Sequence, residues 1–176
     1  MKYFIFFVLS LTIQSCTIYG LTNDYSKLDA EHQQLISKYS PTKELKTKYI
    51  YEISATQLKT ELKKYEKSLV YIFANSCTSK YCLPLSVYED YAQENGYQLF
   101  LMMNGYANLS ESLSQNFSSS LFAVDAQAYN TKWKNKYLKG FQNELKNLPI
   151  DTKQTGYQGS IYFFEGDNLI KIQKEL

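Results

Sequence analysis

The run of residues 69–74, LVYIFA, constrains the fold of this chain more than any other feature. Its residues are apolar without interruption. Continuous rather than alternating apolarity is typical of a parallel strand that is buried on both faces. A polar loop over residues 75–83 follows at once, and Pro84 then suits the first turn of a helix. We therefore expect a central strand that carries this loop at its end.

Strand-like and helix-like patterns alternate on both sides of this run. Strands are predicted over residues 49–53, 97–103, 121–125, 160–164 and 169–172, and helices over residues 56–67, 84–95, 108–116 and 127–148. The Gly-containing link at residues 165–168 predicts a hairpin between the last two strands. The alternation predicts an α/β fold, with helices on both faces of a mainly parallel sheet and an antiparallel hairpin at its end.

The first sixteen residues have the pattern of an export signal. Lys2 precedes a nearly apolar stretch over residues 3–11, and the stretch is followed by Ser15-Cys16. An ordinary secretory signal and a short membrane helix are alternatives, but a membrane helix needs about 20 apolar residues. The segment resembles a bacterial lipoprotein signal, in which the cysteine carries acyl chains such as palmitate and begins the mature protein. The resemblance implies a signal peptide over residues 1–15 and lipidation at Cys16. It also implies that the protein is lipid-anchored in a bacterial cell envelope, outside the cytoplasm.

The segment that follows is polar. Residues 16–47 show no sustained strand pattern, and we interpret them as a tether and docking segment. Apolar residues at helical intervals predict a short helix over residues 28–39. His32, the only histidine, lies here and reads as solvated surface. The remaining residues 48–176 are enough for one domain. The net charge of +2, with no basic block, argues against a nucleic-acid partner.

Cys77 and Cys82 are the only cysteines besides Cys16. Disulfides persist in exported compartments, so we expect these two residues to bond to each other. Three roles are open for the pair: a structural bridge that pins the loop, a redox pair, or a metal site. A bridge over so short a loop would stabilise the fold by roughly 2 kcal/mol. We expect neither a metal nor a cofactor.

The element order and the cysteine loop resemble the thioredoxin-like family over residues 48–174. A hydrophobic strand leads into the cysteine loop, a proline-bearing helix follows, and the chain ends in a hairpin that carries FFEGD at residues 163–167. The helix and strand at residues 108–125 resemble the insertion of peroxiredoxin-like and membrane-tethered exported reductases. The resemblance implies a thioredoxin-like three-layer sandwich, with Cys77 as the attacking thiol and Cys82 as the resolving thiol.

The chain also departs from the family pattern. Four residues separate Cys77 from Cys82, where the family has two, and Ser76 stands where tryptophan is common. Gly159-Ser160 occupies the place of the family's cis-proline, and the final helix is absent. The longer spacing weakens the expectation that a helix start stabilises a thiolate.

Two functions therefore stay open, and with them the question whether the protein is an enzyme. One is a membrane-tethered binding or scaffold module with a structural Cys77–Cys82 disulfide. The other is an exported thiol–disulfide oxidoreductase that uses Cys77 and Cys82. The expected partners are the membrane, through the lipid anchor, and a protein of the cell envelope. The module's surface is expected where residues 75–83, 104–108 and 155–160 meet at the carboxyl ends of the strands.

Overall fold

The computed structural model describes residues 18–77 and 82–176, so the predicted signal peptide and Cys16 lie outside the described residues. The strands are β1 (Ile36–Lys38), β2 (Ile50–Ile53), β3 (Lys67–Phe73), β4 (Gln98–Met103), β5 (Leu121–Val124), β6 (Ile161–Glu165) and β7 (Asn168–Gln173). The α-helices are α1 (Ala30–Gln34), α2 (Ala55–Leu62), α3 (Leu85–Glu94), α4 (Leu109–Leu113) and α5 (Lys134–Leu145). Two 3-10 turns, Tyr25–Lys27 and Ala126–Tyr129, complete the elements of the described residues.

The strands form one mixed sheet of seven, in the order β1-β2-β5-β4-β3-β6-β7. The first five strands in that order run parallel, whereas β6 is antiparallel to β3 and β7 is antiparallel to β6. This arrangement confirms the α/β class, the mainly parallel sheet and the terminal hairpin. Strand β3 lies between β4 and β6 and is buried from Ser68 to Phe73, as its continuous apolarity predicts.

Helices cover both faces of the sheet, which gives three layers. Helices α2 and α5 pack together on one face, through buried side chains that include Leu58, Leu62 and Phe141. Helices α3 and α4 cover the other face, through side chains that include Leu85, Tyr88 and Leu109. Successive strand residues point to opposite faces, so each strand contributes to both cores.

Two local sequence signals set helix ends. Ser54 caps α2: its hydroxyl accepts a hydrogen bond from the Gln57 amide at 3.2 Å, and the Gln57 side chain accepts one from the Ser54 amide at 3.0 Å. Gly96 follows α3 with a φ of 69°, the left-handed conformation that ends a helix. The helix ends elsewhere differ by a few residues, since α2 stops at Leu62 rather than at residue 67.

The single helix predicted over residues 28–39 is wrong. The helix there is only α1, and the chain then extends into β1, which pairs in parallel with β2 from Ile36–Ile50 to Lys38–Glu52. The edge of β2 offers unpaired backbone groups, and satisfying them outweighs the weak helical periodicity of this segment. The segment interpreted as a tether and docking segment thus contributes the first strand of the sheet.

The single helix predicted over residues 127–148 is also divided. Asn130 adopts a left-handed conformation with φ of 50°, which ends the 3-10 turn before α5 begins at Lys134. Trp133, which matches the apolar spacing of a continuous helix, is therefore not buried along a helix face. It instead forms an antiparallel bridge to Thr22 and remains 46 % exposed.

Within residues 18–77 and 82–176, none of the helices combines the length and the apolarity that crossing a bilayer requires.

Candidate functional site

The cysteine pair lies at the carboxyl end of β3. The Cα atoms of Cys77 and Cys82 are 5.8 Å apart and the two sulfurs are bonded, a separation typical of disulfides. Cys77 is exposed and Cys82 is half-buried, so the bridge lies at the surface. The four residues between them lie outside the described residues.

Asn75 anchors the start of this loop. Its side chain is buried and donates to the carbonyl oxygens of Gly105 at 2.9 Å and Ala107 at 3.0 Å. Its amide oxygen accepts a hydrogen bond from the buried Ser112 hydroxyl at 2.8 Å. One side chain thereby joins the cysteine loop to the loop after β4 and to helix α4. This contact brings together two of the three segments predicted to form a common surface.

At the start of helix α3, a backbone amide has its hydrogen-bond partner outside the helix. The Leu85 amide donates to the side-chain oxygen of Gln115 at 2.9 Å, while Pro84 in the N-cap position provides no side-chain cap. One turn further on, the Glu89 carboxylate accepts from the amides of Ser118 at 3.0 Å and Ser119 at 2.6 Å. The loop before β5 therefore holds α3 at two points. One of them is a hydrogen bond from an amide that would have no partner within the helix.

A cleft of about 210 Å³ opens beside the disulfide. Both cysteines line it, together with mainly apolar side chains: Tyr71, Phe73, Leu83, Pro84 and Leu85. The Tyr71 ring stacks on Tyr88 with centroids 3.7 Å apart. Burial raises the pKa of both phenols, and the hydrogen bond to Tyr88 raises that of Tyr71 further. These tyrosines are therefore neutral at physiological pH and supply no charge to the cleft.

The third predicted segment, residues 155–160, also lies at this end of β3. The Ser160 carbonyl accepts a hydrogen bond from the Ile72 amide at 2.8 Å, so Gly159-Ser160 runs alongside the end of the strand. The exposed Tyr157 lies close enough to add to the raised pKa of Tyr71 and Tyr88. All three segments are thus neighbours of the end of β3.

His32 lies elsewhere. Its ring Nδ1 contacts the Asp29 carboxylate at 2.8 Å, and its Nε2 is 3.2 Å from the Ser110 hydroxyl. It links α1 to α4 on the surface and does not join the cysteines. No cluster of three or more His, Cys, Asp or Glu side chains forms in the part of the chain that the structure describes.

A second, polar cleft of about 460 Å³ lies further along the same end of the sheet. Lys38 pairs there with Asp125 at 2.7 Å and with Glu52 at 2.9 Å, and Glu52 accepts from the Tyr106 hydroxyl at 2.9 Å. Burial alone would lower the pKa of Lys38, but the bonds to the two carboxylates outweigh it and raise the pKa. Because the lysine and both carboxylates satisfy one another, we assign this cluster to holding β1, β2 and β5 together.

The position of each cysteine relative to the start of helix α3 determines whether the helix could stabilise its thiolate. Helix α3 begins three residues after Cys82 and eight residues after Cys77, so neither cysteine lies in its first turn. A thiolate gains stabilisation from a helix start when the free amides point at it. Here the Leu85 amide points at Gln115 instead. The arrangement suits a bridge that closes a surface loop beside an apolar cleft.

In comparison with known proteins, the chain matches no family model, no curated protein and no solved structure.

The contacts that two residues make at this site were not predicted from the sequence, although Asn75 lies in the predicted surface segment of residues 75–83. Asn75 could have been identified, because a polar residue directly after a fully buried strand usually has a specific partner. Gln115 has no local signal, since its partner Leu85 is thirty residues away in the chain.

Proposed function

We propose that the protein is an exported, lipid-anchored lipoprotein whose thioredoxin-like domain is a binding or scaffold module with a structural Cys77–Cys82 disulfide. Four features support the thioredoxin-like assignment. They are the strand that leads into the cysteines, the helix that follows them, the antiparallel hairpin that ends the chain and the three-layer arrangement.

The observation that most supports a structural role for the disulfide is its position ahead of helix α3. A catalytic pair needs an accessible thiolate with a low pKa. The cysteines precede the helix, and Gln115 accepts the hydrogen bond of the Leu85 amide, which a thiolate at the helix start would otherwise receive. The bridge instead closes the loop that Asn75 anchors at its other end.

The apolar cleft beside the disulfide is the proposed binding surface. Leu83 and Pro84 line it from the loop, and Tyr71 and Phe73 line it from β3. Leu83 is exposed, as is Tyr157 near the same end of the strand. An apolar cleft that includes an exposed leucine suits an apolar segment of a protein partner in the cell envelope.

Lipidation at Cys16 is tested by expressing the full chain in a bacterium with lipoprotein-processing enzymes. We expect the mature protein to begin at Cys16, to carry a mass increase that matches acylation and to partition into detergent. The Cys16→Ala variant is expected to lose the added mass and the partitioning into detergent, because no thiol remains to be acylated. Equal membrane association of the variant would show that another feature anchors the chain.

The structural role of the disulfide is tested by its chemistry. In the natively isolated protein, alkylation without reductant should label neither Cys77 nor Cys82. We expect a reduction potential below about −300 mV, as for structural disulfides, and negligible reduction of insulin disulfides. Full labelling of both thiols would refute the bridge in the exported protein. The Cys77→Ser/Cys82→Ser double variant controls for background turnover.

One observation favours the second candidate, an exported thiol–disulfide oxidoreductase. The disulfide lines an open apolar cleft and Cys77 is exposed, so a substrate could approach the sulfur that the resemblance assigns as the attacking thiol. A reduction potential between about −120 and −270 mV would support this function. Loss of the protein's disulfide-reducing turnover in the Cys77→Ser variant would then establish the oxidoreductase function.

A further inference from the structure

We propose that three exposed side chains at the start of the described chain, Ile18, Tyr19 and Leu21, dock together with the exposed Trp133 onto the surface of a lipid bilayer beside the anchor. We call this set the N-terminal patch. The inference rests on the proposed lipidation at Cys16. It adds that the domain lies against the membrane in one orientation, instead of moving freely above it.

Backbone contacts bring the two parts of the patch close together. The Leu21 carbonyl accepts a hydrogen bond from the Lys134 amide at 2.9 Å, and Thr22 forms the antiparallel bridge to Trp133. These contacts place Trp133 beside the N-terminal segment, although more than a hundred residues separate them in the chain. The exposed fractions are 64 % for Ile18, 55 % for Tyr19, 54 % for Leu21 and 46 % for Trp133.

A buried carboxylate makes this segment rigid. Asp24 is 1 % exposed, and its side chain accepts hydrogen bonds from the Gly20 amide at 2.6 Å, the Thr22 hydroxyl at 3.0 Å and the Lys27 ammonium group at 2.6 Å. Burial alone would raise the pKa of Asp24, but these bonds outweigh it and hold the pKa below its ordinary value. The backbone around Gly20 and Thr22 is therefore held before docking, which lowers the conformational entropy that docking costs.

Lysines surround the patch. The Lys27 Nζ atom lies 4.6 Å from the Tyr19 ring centroid, and the Lys132 Nζ atom lies 5.7 Å from the Trp133 ring centroid. Among the described residues, neither Lys132 nor Lys134 forms an ion pair. Tryptophan and tyrosine prefer the boundary between lipid tails and headgroups, and lysine extends to the anionic headgroups. This combination matches an interfacial membrane surface more closely than the dry core of a protein interface, which is depleted of lysine.

The position of the proposed anchor is the reason to expect that a bilayer, rather than a protein, covers the N-terminal patch. Cys16 is two residues before Ile18 in the chain. Acyl chains on Cys16 would hold the patch at the membrane surface, where docking is intramolecular and a weak contact is sufficient.

Trp133, the only tryptophan in the chain, reports directly on the docking. The full-length protein, expressed and processed in the bacterium, is reconstituted into vesicles of phosphatidylcholine and phosphatidylglycerol that contain lipids brominated near the headgroup. We expect the brominated lipids to quench Trp133 emission strongly and its spectrum to shift to the blue. Quenching by aqueous iodide should fall in parallel. Vesicles of phosphatidylcholine alone should give weaker lipid quenching, because they lack anionic headgroups.

Two leucine substitutions provide matched variants. Leu21→Ser is expected to lower the ratio of docked to undocked protein about tenfold, since it removes the exposed half of an apolar side chain that docking would bury. Leu148→Ser alters a leucine that is 40 % exposed beyond the far end of α5 and should leave the quenching unchanged. Both variants keep Cys16 and Trp133, so anchoring and the fluorescent reporter are the same.

The outcomes separate this inference from the proposed anchoring. An acylated protein that floats with the vesicles but whose Trp133 is quenched only by iodide would overturn the docking and leave the anchor intact. Trp133 shielded from both quenchers would assign the patch to a protein contact and also overturn it. A protein with no acyl mass that does not float would overturn both proposals.

Discussion

Asn75→Ala is expected to lower the free energy of unfolding by about 3 kcal/mol. The substitution removes three hydrogen bonds and leaves the Gly105 carbonyl, the Ala107 carbonyl and the Ser112 hydroxyl without the partner they have now. Buried polar groups that lose a partner keep the cost of leaving water, which is the reason for the size of the effect.

Urea unfolding of the oxidised protein measures this loss. Ser112→Ala is the matched control, because it removes only one of the three bonds and should cost about 1 kcal/mol. We also expect Asn75→Ala to speed proteolytic cleavage in the cysteine loop, since the loop loses its anchor at the β3 end. A loss for Asn75→Ala no larger than that for Ser112→Ala would show that the two carbonyls find water instead.

Gly159→Ala should destabilise the protein by more than about 3 kcal/mol, the largest effect we expect from a single methyl group. Gly159 has a φ of 143°, a backbone conformation that other residues rarely adopt. A Cβ atom there would also overlap the carbonyl group of Gln173 on β7. That carbonyl accepts the Ser160 amide at 3.1 Å, so moving it would break the pairing at the end of the hairpin.

Gly156→Ala isolates the backbone contribution. Gly156 has a φ of 75°, and a Cβ atom there would meet nothing within 4 Å. We therefore expect this variant to cost only about 1 kcal/mol, the strain of a left-handed alanine. Thermal unfolding of the two variants side by side measures the difference. Equal losses would mean that β7 moves aside to accept the methyl group.

The sequence predicts the elements that carry a strong local pattern. The apolar run at residues 69–74 and Pro84 correctly place β3 and the start of α3, because each signal reflects a physical requirement within a few residues. The hairpin at the end of the chain is predicted for the same reason, from the glycine between two apolar runs.

Long-range partners explain the rest. The three residues of β1 have no strand pattern and extend only because the β2 edge is available. The division before α5 depends on the conformation of Asn130 and on the bridge between Trp133 and Thr22. At the candidate site, the spacing of the cysteines predicts their proximity. The support from Gln115 comes from thirty residues away, and single-sequence patterns do not reach that far.

The hydrogen bonds of the N-terminal segment also limit where the cysteine cleft can work. The Asn23 carbonyl accepts the Tyr106 amide at 2.8 Å, and the neighbouring Gly105 is bonded to Asn75. If Cys16 carries the lipid, the two residue steps to Ile18 allow a leash of at most about 7 Å. Such a protein could not move far from the membrane surface into the envelope. It would meet partners by lateral diffusion, in a thin layer just above its own membrane. The length of the segment between Cys16 and Ile18 would thus determine which molecules it encounters.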